Sequence, residues 1–206
     1  MHLRVLWQLP HQNAIPPTVT QDDRLRFSDR FSSAAAIRTS VHASLDANAS
    51  NINDTQARVR QLLASLPEDH SSTANHIRRI PEGHILLMFR SVSYFGLARW
   101  APDITSGDPD SMYNLLHEHI ALITFEQVAI AFGYAHLGIN LQLVQDFVLL
   151  RKLYRSFVFS HMYKLAKLEA KSPGSIAKGN EMTNVWKRRK EVCFDLYISF
   201  LVRSPI

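Results

Sequence analysis

The chain is poor in the residues that build crosslinks, tight turns and nucleotide loops. Its 206 residues include one cysteine, Cys193. A single thiol forms no internal disulfide and supplies no cysteine-rich metal site. In the last helical segment it reads as a small buried apolar residue. Seven glycines and nine prolines are too few for a sandwich or barrel, which needs a turn signal every 8 to 12 residues or so. Scarce glycine also disfavours phosphate-cradling loops, where backbone must approach the ligand closely. The dinucleotide and phosphate-loop glycine patterns are missing. So are a Gly-x-Ser-x-Gly elbow and a cysteine with a plausible histidine partner.

Lysine is missing from the first 150 residues. That part holds 11 arginines against 14 acidic residues, a net charge of −3. Residues 151–206 hold 12 basic residues against Glu169, Glu181, Glu191 and Asp195, a net charge of +8. Such asymmetry fits an anionic partner for the C-terminal end, or a solvated cationic face. Long apolar runs are missing too. The most apolar stretch, 119–144, carries Glu126, Gln127, His136, Asn140 and Gln142. These are costly in lipid, so a buried helical core is expected there rather than a membrane span. Leu3, Val5, Leu6 and Trp7 are followed at once by Gln8, Pro10 and His11, so no secretory h-region is expected. An intracellular location, nuclear or cytoplasmic, follows as an expectation.

What is present is helical periodicity. At 46% hydrophobic and 20% charged residues, the chain can bury an ordinary core. Ile85, Met88, Phe89, Val92 and Phe95 predict a helix over 82–100, with Pro81 near its start. Asp108 and Pro109 open a second, running to about residue 135. Gly138 breaks it and Asn140 can cap the next, a long helix over 141–171. Ser172, Pro173, Gly174 and Ser175 form a linker, and a last helix spans about 180–202. The expected fold is all-α, an irregular bundle of four to five helices over 74–206. Residues 1–73 are expected to be a loosely ordered or partly helical N-terminal extension.

Candidate sites are few. Lys187, Arg188, Arg189 and Lys190 place four cations around one helix, where they can meet phosphates or an import receptor. Gly138, Ile139, Val144 and Phe147 fit a helix-turn-helix spacing, with Asn140, Gln142 and Gln145 able to read bases. Tyr134 is too large for the small residue that motif needs. His117 and His119 lie two apart, so on a helix they point away from each other and share no ion. No cofactor or metal is expected. The sequence leaves the oligomeric state open.

Residues 77–89 read Ile-Arg-Arg-Ile-Pro-Glu-Gly-His-Ile-Leu-Leu-Met-Phe. This stretch resembles the opening of fungal-type F-box motifs through Ile77, Arg78, Arg79, Ile80, Pro81, Ile85, Met88 and Phe89. Gly83 and His84 depart from that pattern, and its later valine–cysteine and tryptophan–arginine parts are missing. The resemblance implies a helical surface, including Ile77, Ile80, Pro81, Ile85 and Phe89, that docks the adaptor subunit of a ubiquitin ligase. The leading expectation is a non-catalytic binding protein that contacts nucleic acid or an acidic partner through its basic C-terminal region. The alternatives are an F-box-like adaptor and a helical enzyme without a recognisable motif.

Overall fold

The structure is a computed structural model that describes residues 1–9, 14–25, 27, 31, 33–46, 52–68, 72–97, 99–179 and 181–182. Among them every regular element is helical, and there is no strand. The fold is all-α, as the periodicity predicts. The chain divides into two compact units, Met1–Tyr163 and Lys164–Ile206. The sequence-based boundary at 73/74 does not coincide with this division.

The first unit is built around one helix. α1 (His2–Leu6), α2 (Gln21–Leu25), α3 (Ala34–Asp46), α4 (Ile52–Ser65), α5 (Ser72–Arg78) and α6 (Glu82–Tyr94) precede it in the chain. The central helix, α7 (Met112–Ile130), is buried at every residue from Tyr113 to Thr124. A helix apolar nearly all round must be enclosed on all sides. α1, α3, α6, α8 (Leu141–Val144) and α9 (Phe147–Arg155) enclose it, while α4 packs on α6. The N-terminal segment therefore belongs to the core: Val5, Leu6, Trp7, Ile37, Val41, Val59 and Leu62 are all buried. Trp7 meets Trp100 edge-on at 4.7 Å between centroids.

Local chemistry sets the helix ends. α6 starts after Pro81, whose φ of −55° suits that position. It stops at Tyr94, short of the expected 100, where Gly96 takes a φ of +68°, a conformation glycine adopts cheaply. α7 starts at Met112 rather than near Asp108, because the Ser111 hydroxyl accepts the Asn114 N–H. The Asn114 side chain then ties down the preceding loop. Its Oδ1 accepts the Asp103 N–H at 2.7 Å, and its Nδ2 donates to the carbonyls of Asp103 and Asp108.

The expected long helix over 141–171 is broken. Asn140 caps α8 through the Gln142 N–H, and Asp146 caps α9 through the Leu149 N–H at 2.9 Å. A π-helical stretch, Ser156–Met162, follows α9. Its wider turn keeps Tyr154, Val158 and Met162, spaced four apart, on one buried face. α10 (Tyr163–Lys171) is closed by Glu169, whose carboxylate accepts the N–H groups of Gly174 and Ile176. Those bonds lower the Glu169 pKa.

Candidate functional site

The first unit contains a pocket of about 300 Å³. It forms where α1, the C-terminal half of α7, the turn after α7 and α9 converge. α7 contributes Leu122 and Phe125, the turn Leu137 and Ile139, and α9 Leu150 and Leu153. Leu153 is 58% exposed and Leu137 39%, so apolar side chains also form the mouth. Gly133 makes the turn possible. A Cβ there would lie 2.5 Å from Val128 Cγ1 and 2.7 Å from His84 Cδ2. Among the described residues no aspartate or glutamate lines the pocket, and Arg4 is the one lining residue with a formally charged side chain.

The polar groups gather on α1. His2 is buried, its Nε2 3.0 Å from the Ala121 carbonyl and 3.1 Å from Thr124 Oγ1. Thr124 donates its own proton to the Ile120 carbonyl. A carbonyl only accepts, so His2 Nε2 carries the proton and Nδ1 is the lone-pair nitrogen. Tyr134 therefore donates its hydroxyl proton to His2 Nδ1. Burial lowers the His2 pKa to about 3 and raises that of Tyr134. The pair is neutral at physiological pH and fully hydrogen-bonded, which suits a wall rather than a proton shuttle. Tyr154, on the α9 wall, is buried, and its hydroxyl has no hydrogen-bond partner among the described residues. Burial, and then the charge of Glu118, raise its pKa.

Behind this wall Glu118 is wholly buried on α7. Arg151 Nε and Arg155 Nε of α9 each reach it at 2.7 Å. Arg155 also bonds the exposed Asp110 at 2.6 Å, and that bond lowers the Asp110 pKa. The pairing fixes α9, and with it Leu150, Leu153 and Tyr154, against α7. His117 and His119 flank Glu118 and are buried, and burial lowers both pKa values to about 4. His117 Nδ1 donates to the Tyr113 carbonyl. Among the described residues no three potential ligands gather as a metal would require.

Of the candidate residues singled out from sequence, Ile139 and Tyr134 line the pocket, and the other described ones do not. Lys187, Arg188, Arg189 and Lys190 fall outside the described residues. Ile77, Ile80, Ile85 and Phe89 are buried in the core, and Pro81 alone of that set is exposed. Docking through all five would require four of these side chains to leave the core. Gly138, at φ +61°, ends a short 3-10 turn, Ala135–Leu137. The α8 that follows has four residues, too few to serve as a recognition helix. Val144 is buried, and Asn140 spends its side chain on capping. His2, Arg4, Tyr134 and Tyr154 carried no local signal, because the pocket joins parts of the chain more than 100 residues apart. No family model, curated protein or solved structure matches the chain.

Proposed function

We propose that the protein is a non-catalytic binding protein and that its first unit takes a small apolar molecule in the pocket between α1, α7 and α9. The supporting observation is the pocket itself: a cavity of about 300 Å³ with hydrophobic walls and a few polar groups confined mainly to one side. That is the usual character of a small-molecule site. Each methylene buried contributes about 0.8 kcal/mol. In a series of linear alcohols, affinity should therefore rise on the order of tenfold for every two carbons until the pocket is full. Isothermal titration with octanol, decanol and dodecanol tests this. Leu153→Trp, at the exposed mouth, should abolish binding while Leu143→Trp, outside the lining, leaves it intact. Affinity independent of chain length would sink the proposal.

The charge asymmetry favours a second contact. All lysines fall at position 152 or later, and we propose that the C-terminal end meets nucleic acid or an acidic partner through Lys187, Arg188, Arg189 and Lys190. Binding to a DNA or RNA duplex should weaken steeply with salt, and alanine at those four positions should flatten the log–log slope. No binding at low salt would rule out nucleic acid as the partner.

A further inference from the structure

We propose that the first unit also binds a phosphoryl dianion, as free phosphate or as the phosphate of a monoester, where α3, α7 and α9 meet, between Arg38, His42, His119 and Arg151. None of these four residues lines the apolar pocket, so the site stands independently of it. Helix periodicity brings the groups together. Arg38 and His42 are four residues apart and share a face of α3. Phe147 and Arg151 share a face of α9 in the same way. α7 packs against both helices and carries His119. The Phe147 ring lies nearly parallel to the imidazole, 6.0 Å between centroids at 16°, and Arg151 holds Glu118, the residue before it.

Three observations point to an anion. Arg38 and His42 are exposed on α3, and neither has an ion-pair partner among the described residues. His119 is 5% exposed, and its Nδ1 is buried without a hydrogen-bond partner among the described residues, an orphan that folded proteins seldom keep without a reason. After burial, the charges of Arg38, Arg151 and His42 are what depress the His119 pKa, and among the described residues no carboxylate offsets them there. Acids on the neighbouring turns are otherwise engaged: Glu118 with Arg151 and Arg155, Asp110 with Arg155, and Asp146 with the Leu149 N–H. Arg151 spends its Nε on Glu118 and has its Nη donors to lend. These donors come from three helices. A tetrahedral dianion points its terminal oxygens in several directions and can meet them together, whereas a carboxylate offers two oxygens in one plane. Phe147 is 36% exposed, so the organic part of an ester has a ring to lie on.

The test titrates inorganic phosphate, phenyl phosphate and acetate into the full chain at about pH 7.5, where the phosphates are mainly dianions, and at low ionic strength, where screening is weak. Calorimetry reads affinity, and the histidine ring signals in NMR read place. Phosphate should bind at one site about tenfold or more tightly than acetate, and should shift the ring signals of His42 and His119. Arg38→Gln should weaken phosphate about tenfold, the loss of one charge-assisted bond. Arg60→Gln, exposed on α4 and equal in charge change, should leave it intact. Both substitutions sit on the surface, where the fold tolerates them. Phenyl phosphate binding more tightly than phosphate assigns the site to an ester, and equal affinity assigns it to free phosphate. Phosphate that fails to bind, binds no better than acetate, or responds alike to Arg38→Gln and Arg60→Gln overturns the proposal.

Discussion

Arg151 and Arg155 are the only charged partners that the buried Glu118 carboxylate has among the described residues, and removing them one at a time and together should not be additive. Arg155 is 29% exposed in its side chain and Arg151 43%, so solvent screening discounts the second more than the first. Arg155→Met removes one charge-assisted bond and should cost about 2 kcal/mol. The Asp110 pair lost with it is exposed and adds little. Arg151→Met should cost about 1 kcal/mol. Either single variant leaves Glu118 one guanidinium. The double variant leaves a wholly buried carboxylate unpaired, a situation that costs about 3–5 kcal/mol, at least as much as the two single losses together and more if the carboxylate stays ionised. Adding Glu118→Met to the double variant should recover most of the loss, because an apolar triad needs no compensation. Urea unfolding at neutral pH, with the m-value monitored, reads all four. If the double variant loses less than about 1.5 kcal/mol, or if Glu118→Met recovers nothing, Glu118 is not held as described.

Acid should weaken the fold through its buried histidines. His2 is lowered to about 3 and His117 and His119 to about 4, each chiefly by burial. The unfolded chain takes up these protons near pH 6.5, so between there and pH 4 it binds more protons than the folded chain. Stability is therefore full above that range and falls as pH falls, by up to about 1.4 kcal/mol per unit for each histidine. Urea midpoints measured from pH 7 to 5 should drop, and His117→Gln should flatten the trend; a flat profile in the parent protein counts against burial of these rings. Gly133→Ala should lose about 1–3 kcal/mol in the same assay, since its Cβ collides with Val128 and His84; wild-type stability would mean the turn is looser than it looks. His2→Phe strands the Tyr134 hydroxyl and should cost about 1–3 kcal/mol. A loss under about 0.5 kcal/mol would mean that water replaces the ring.

Helicity was legible because it is written locally. The spacing of Ile85, Met88, Phe89 and Val92, the proline at 81, the αL glycine at 138 and the Asn140 cap all act within a turn or two of themselves. Breaks in helices were harder to see. Asp146 was available as a cap signal, but the apolar stripe through Leu143, Phe147 and Leu150 runs across it and reads as continuous. The role of the first residues was hidden for another reason. α1 has five residues, too few to show a period. Its place is set by tertiary partners, Trp100 for Trp7 and Thr124 and Tyr134 for His2. The pocket is the extreme case, since none of its walls has meaning without the others. The basic run at 187–190 was the loudest sequence signal and lies outside the described residues, so charge and cavity point to different parts of the chain.

Titrating dodecanol into the protein at several temperatures addresses the pocket most directly. A filled apolar site should give one saturable site per chain and a negative heat-capacity change, the robust mark of apolar surface leaving water. Leu153→Trp should remove both. Heats that do not saturate, or a variant that binds as the wild type does, would show that the space between α1, α7 and α9 is not a binding site.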